Sequence, residues 1–96
     1  MLANQKEAYN KFYESARYNE VLSDKTSLLI HMAAAMSVAC IPCMDYYMTQ
    51  VEKYEVSKEE ISTVEAIVMA VSAGRVKMQF NEILASKGNG GTTCCG

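Results

Sequence analysis

The sequence predicts one all-α domain, a compact bundle of about five helices. Three observations predict it: apolar residues recur at helical spacing along most of the chain; capping residues stand ahead of apolar stretches at Ser23-Asp24 and Ser57-Lys58-Glu59-Glu60; and Pro42, Gly74 and Gly88 punctuate the gaps. Half of the 96 residues are apolar and 21% are charged, a balance too hydrophobic for a disordered chain and sufficient for a packed core.

From Gln5 to Asn19, Ala8, Phe12 and Ala16 recur every fourth position beside Tyr9 and Tyr13, while Lys6, Glu7, Lys11, Glu14 and Arg17 fall on the other side. The first helix is therefore amphipathic, with Phe12 and the alanines inward and Arg17 outward. Ser23 or Asp24 caps a second helix, whose run from Leu28 through Met36 has few polar interruptions and is expected to be buried on most sides. Pro42 lacks an amide donor and clashes inside a helix, which places a break between Ala39 and Pro42. A third helix then starts at Cys40-Ile41-Pro42-Cys43, with Met44, Tyr47, Met48, Val51 and Tyr54 as its inner stripe. The methionines, here and at Met32 and Met36, fill gaps in a core. Ser57 and Glu60 form a capping box for a fourth helix reaching Ala73. Gly74 is expected to kink or stop it, Val76, Phe80, Ile83 and Leu84 define a fifth, and Gly88 ends that one. The helical domain spans residues 1–87. Residues 88–96, with four glycines and no large apolar side chain, form a flexible tail ending in Cys94-Cys95.

Charge and length narrow the function. The nine Lys and Arg residues are scattered and outnumbered by eleven Asp and Glu, for a net charge of −2, so no nucleic acid is expected as a partner. Residues Met1 to Glu7 lack the basic stretch and apolar run of an export signal, and a cytoplasmic location is expected. The apolar run from Leu28 to Cys43 is broken by His31 and Ser37 and falls short of the roughly 20 residues that cross a bilayer, so no membrane partner is expected. A chain this short buries a modest fraction of its surface, which makes packing between subunits, hence a homo-oligomer, the expected state.

In a reducing compartment closely spaced cysteines signal redox or metal chemistry. Cys40 and Cys43, bracketing a helix start, can close a small disulfide ring and reopen it. Unpaired N–H groups and the positive end of the helix dipole favour thiolate there, and thiolate is what disulfide exchange requires. Pro42 stiffens the ring, as in a thioredoxin-type Cys-x-Pro-Cys arrangement, on a helical rather than a thioredoxin frame. Two readings from other classes stay open. One is a metal or iron–sulfur module using Cys40, Cys43, Cys94 and Cys95; the other is a non-catalytic scaffold. In the redox reading no metal and no cofactor are expected, and Cys94-Cys95 is a candidate auxiliary redox pair.

Lys25-Thr26-x-x-Leu29-Ile30, Ala33-Ala34-Ala35, Cys40-x-x-Cys43, Val56-Ser57-x-Glu59-Glu60-Ile61 and Ala66 through Gly74, in that order, resemble the alkyl hydroperoxidase D / carboxymuconolactone decarboxylase family over about residues 22–85. The resemblance implies an all-helical, alkyl hydroperoxidase D-like subunit that forms homo-oligomers, with the CxxC pair as redox centre in the hydroperoxidase branch. That branch carries a Glu ahead of the first cysteine and a His after the second as a proton relay; the matching positions here hold Leu28 and Tyr47. The decarboxylase branch generally lacks the CxxC pair and relies on polar residues without a counterpart here. Disulfide exchange needs neither set.

The expected activity is that of a thiol–disulfide oxidoreductase, a disulfide reductase in support of antioxidant defence that cycles a Cys40–Cys43 dithiol. Its expected partners are a protein or small-molecule disulfide and an upstream thiol reductant, with a peroxidase of the alkyl hydroperoxidase D type as an alternative. Cys40, nearest the helix start, is the first choice for the attacking thiolate and Cys43 for the resolving one; the resemblance makes the second cysteine a credible nucleophile, so the order stays open. His31, the single histidine, and Tyr47, one turn past the motif, are candidates for a proton relay. Their plainer roles are a hydrogen-bonded core or interface histidine and a packed core tyrosine. Lys25 beside Asp24, and the acidic Glu52, Glu55, Glu59 and Glu60, read as solvated surface.

Overall fold

The computed structural model describes residues 1–88, which form four helices: α1 (Ala3–Arg17), α2 (Asp24–Ser37), α3 (Ile41–Met48) and α4 (Lys58–Ser86). No strand occurs among the described residues. The caps are where the sequence places them. The Ser23 hydroxyl accepts from the Thr26 N–H at 3.2 Å. Ser57 and Glu60 form the reciprocal capping box, with bonds of 2.9 and 3.1 Å.

The all-α expectation holds with one helix fewer, because the expected fourth and fifth helices are a single α4 of 29 residues running through Gly74. A glycine inside a helix costs about 1 kcal/mol relative to alanine, too little to stop a helix flanked by Ala73, Arg75, Lys77 and Met78. Nothing lies within 4 Å of where a Cβ at Gly74 would sit, so no close approach requires the glycine. Gly88 does end the helix, at φ +76°, with its N–H donating to the Ala85 carbonyl at 3.0 Å.

The link between α2 and α3 is set by the backbone. Ala39 takes a left-handed φ of +55°, its N–H donates to the Met36 carbonyl at 3.2 Å, and the next N–H, of Cys40, donates to Ala35 at 2.9 Å. This paired closure is a Schellman motif with alanine where glycine is usual. The expected third helix is shorter than its apolar stripe. It ends at Met48, and residues 49–55 continue as turns that close with Glu55 at φ +55° and a bond from the Val56 N–H to the Val51 carbonyl at 2.9 Å. Val51 and Tyr54 still pack on the core, since turns of nearly helical pitch carry them round to the same side.

Helix α2 is the hub: α3 and α4 pack against it, and α1 touches it more thinly. The core is Leu28, Met32, Ala35 and Tyr47, ringed by Tyr13, Met44 and Val64 among others. Only one stripe of α2 is covered, and Ile30 on the opposite side is half exposed, so its expected all-round burial does not occur within one subunit. In α1 the expected face is shifted: Tyr13 packs inward and Lys6, Glu7, Lys11 and Glu14 stay exposed as expected, but two residues do not follow it. Phe12 is exposed and Arg17 is buried, because Tyr13 and Arg17, one turn apart, are the residues that meet α2 and α3. The radius of gyration, 18.1 Å, exceeds the roughly 12 Å of a compact chain of this length. The outer half of α4 exposes Val71, Val76, Phe80 and Ile83. No helix among the described residues is long and apolar enough to cross a membrane.

Candidate active site

Cys40 is the N-cap of α3 and Cys43 lies in its first turn. The two are joined by a disulfide, with Cα atoms 5.2 Å apart. Three local features hold them. The closing bonds of α2 fix the Cys40 N–H on Ala35; the Met44 N–H donates to the Cys40 carbonyl at 3.0 Å; and Pro42 occupies a first-turn position whose amide would have no helical partner anyway. Both cysteines are half-buried.

A cleft of about 300 Å³ opens beside the pair. Helix α1 supplies one wall, Tyr9, Asn10 and Tyr13, and α3 supplies the other, Pro42, Cys43, Tyr46 and Tyr47. Cys43 lines this cleft and Cys40 does not. No Asp, Glu, Lys, Arg or His among the described residues lines it.

An aromatic cluster backs the cleft. The hydroxyls of Tyr13 and Tyr47 lie 2.5 Å apart in a hydrogen bond that either can donate. The His31 ring sits edge-on to both, with centroids 6.1 Å from Tyr13 and 5.6 Å from Tyr47. Nδ1 of His31 lies 2.7 Å from the Ser27 carbonyl oxygen, which can only accept, so Nδ1 carries a proton. No hydrogen-bond partner for Nε2 occurs among the described residues. Burial, and then the hydrogen bond with Tyr47, push the Tyr13 phenol well above its ordinary pKa, so it stays an O–H donor at neutral pH.

The profile of the carboxymuconolactone decarboxylase family matches residues 5–85. The chain belongs to that family. No curated protein and no solved structure matches it. Within the carboxymuconolactone decarboxylase family, which includes peroxidase-like members, this chain holds a Cys40–Cys43 disulfide. Where the resembling branch has its acid, Leu28 is the most deeply buried residue of the core; where it has its base, Tyr47 is buried against Tyr13 and His31.

Of the residues singled out from the sequence, the fold brings Cys40, Cys43, Tyr47 and His31 together, with His31 reaching the cleft only through Tyr13 and Tyr47. Cys94 and Cys95 lie outside the described residues. Among the described residues no group of three or more His, Cys, Asp or Glu could hold a metal. The sequence reading did not assign Tyr9 and Tyr13 to the site. Their signal was the i, i+4 pair Tyr9–Tyr13, eclipsed by the more apolar row through Phe12.

Two further features correct the surface reading. Arg17 is 1% exposed, and its three guanidinium nitrogens find no hydrogen-bond acceptor among the described residues. Its charge rests instead over the faces of Tyr18 and Tyr54, at 5.0 and 5.3 Å from the ring centroids. Its carbonyl accepts from the Ser27 hydroxyl at 2.9 Å, fastening the end of α1 to α2. Lys25, read as plain surface, pairs with Glu60 at 2.8 Å and ties the start of α2 to the start of α4.

Proposed function

We propose that this member of the carboxymuconolactone decarboxylase family is a disulfide reductase that cycles Cys40 and Cys43 between dithiol and disulfide. The observation that carries the reading is the pairing of the two sulfurs at a helix start with one of them, Cys43, opening on a cleft. That asymmetry supports Cys43 as the attacking thiolate and Cys40 as the resolving one, the reverse of the order first expected from position in the helix.

In the reduced protein the Cys43 thiolate attacks a substrate disulfide RS–SR, forming Cys43–S–SR and releasing RS⁻. Cys40 then attacks the Cys43 sulfur, the second RS⁻ leaves, and the Cys40–Cys43 disulfide closes. Two electrons pass from the dithiol to the substrate, and the two cysteine protons end on two RSH. An external dithiol restores the pair by the same exchange in reverse. The Tyr13–Tyr47 pair keeps one hydroxyl proton outside their mutual bond, and hydrogen bonding from it to a departing thiolate makes that thiolate a better leaving group.

Single-turnover reduction of 2-hydroxyethyl disulfide by the pre-reduced full chain tests the reading, with peptide mapping to separate these sulfurs from Cys94 and Cys95. Wild type is expected to end with Cys40 joined to Cys43 and substrate released as free thiol. A pair that remains reduced while the substrate is consumed elsewhere would contradict it.

A further inference from the structure

We propose that the cleft beside Cys43 selects disulfides that carry an uncharged aromatic group next to the reacting sulfur. The selection rests on the disulfide-exchange reading for its chemistry and adds a substrate class to it.

The walls are two pairs of tyrosine rings on different helices. Tyr9 and Tyr13 lie 6.5 Å apart and nearly parallel on α1; Tyr46 and Tyr47 lie 5.6 Å apart and edge-on on α3. The outer ring of each pair is about half exposed, Tyr9 at 57% and Tyr46 at 47%, so free aromatic surface flanks the mouth while Tyr13 and Tyr47 stand deeper. Aromatic groups favour offset or edge-on contact with such rings, and each well-made pair raises affinity roughly twofold to tenfold beyond simple burial. Cys43 lies in the same wall as Tyr46 and Tyr47, which puts the sulfur under attack beside the rings.

The polar groups of the walls are phenol hydroxyls and the Asn10 amide. A substrate carboxylate entering here gives up hydration and meets no cation, which disfavours acidic disulfides. Arg17, the one buried cation among the described residues, is turned to Tyr18 and Tyr54 and is not part of the cleft wall. A volume of about 300 Å³ is at the small end of ligand sites, enough for one ring and the disulfide and too small for a folded surface. The bond changes are those given above: Cys43–S–SR forms, RS⁻ leaves, and Cys40 displaces the second RS⁻.

Symmetric disulfides of three capped dipeptides, acetyl-Phe-Cys-amide, acetyl-Ala-Cys-amide and acetyl-Glu-Cys-amide, test this, because they differ in the flanking side chain and little in the leaving thiol. With the pre-reduced full chain, the second-order rate constant of single-turnover reduction is expected to fall from Phe to Ala to Glu, with Phe over Ala by roughly threefold to tenfold. Tyr9→Ala and Tyr46→Ala shrink that ratio toward one, whereas Tyr9→Phe and Tyr46→Phe keep it. Equal values for the Phe and Ala peptides in wild type overturn the selection while leaving the reductase reading intact. If no peptide is turned over, the reductase reading fails instead. Titration of Cys43→Ser with the reduced Phe and Ala peptides, followed by tyrosine ring NMR signals, then decides the selection: stronger saturable binding of Phe at Tyr9 and Tyr46 upholds it, and equal binding overturns it.

Discussion

Tyr13 on α1 and Tyr47 on α3, 34 positions apart in sequence, share a hydroxyl–hydroxyl hydrogen bond of 2.5 Å at the back of the cleft. It is one of the few ties between α1 and the body, and Tyr47 is only 5% exposed. Tyr13→Phe is expected to cost about 1–3 kcal/mol in urea unfolding, the cost of a buried hydroxyl without a partner. The double variant Tyr13→Phe/Tyr47→Phe is expected to cost less than the sum of the two single ones. Simple additivity would mean that the pair is not coupled.

Ala39 takes the left-handed backbone that closes α2 immediately before Cys40. An L-residue pays about 1–2 kcal/mol there, and glycine gives back part of that through a freer unfolded chain. Ala39→Gly is therefore expected to raise stability by about 0.5–1 kcal/mol, read as a higher urea midpoint at an unchanged slope. A lower midpoint would show that Ala39 is not strained.

The Lys25 ammonium, and then the backbone of Ser57, hold the Glu60 carboxyl below the usual carboxylate range. A depressed folded-state pKa adds stability that is complete above the ordinary Glu pKa of about 4.3 and is lost as pH falls below it through the lowered value. Thermal unfolding between neutral pH and pH 3 is expected to show a smaller acid-side loss in Glu60→Gln than in wild type. Parallel curves would rule out this ion pair as a source of the acid limb.

The outer half of α4 stands clear of the body and shows Val71, Val76, Phe80 and Ile83 to solvent, while the radius of gyration is about half again that of a compact chain. A second copy of the chain is the expected cover. Sedimentation should give at least twice the 10.6 kDa subunit mass, and Phe80→Glu with Ile83→Glu should shift the population toward monomer. A wild-type monomer at micromolar concentration would contradict this.

Much of this architecture was legible where one residue type has one local use. The Ser57–Glu60 box, the Ser23 cap, the break at Pro42 that sets the cysteines at a helix start, and the stop at Gly88 are all local chemistry, and the fold keeps each. Tertiary choices were not legible. Arg17 was placed outside because arginine is rarely fully buried, yet Tyr18 and Tyr54 offer their ring faces to its charge. Gly74 read as a break because a glycine weakens a helix locally, yet 29 residues of continuous helix absorb that cost. Tyr13 and Lys25 gave no local sign of partners that lie more than thirty positions away, Tyr47 and Glu60.

Trapping the mixed disulfide tests the central claim most directly. Pre-reduced Cys40→Ser and Cys43→Ser are each exposed to the acetyl-Phe-Cys-amide disulfide, quenched by acid and mapped by mass spectrometry. The account predicts that Cys40→Ser accumulates the peptide on Cys43, with no resolving thiol to release it, while Cys43→Ser leaves Cys40 largely unmodified over the same time. Faster adduct formation on Cys40 in Cys43→Ser, or no adduct at either sulfur in a folded protein, would contradict it.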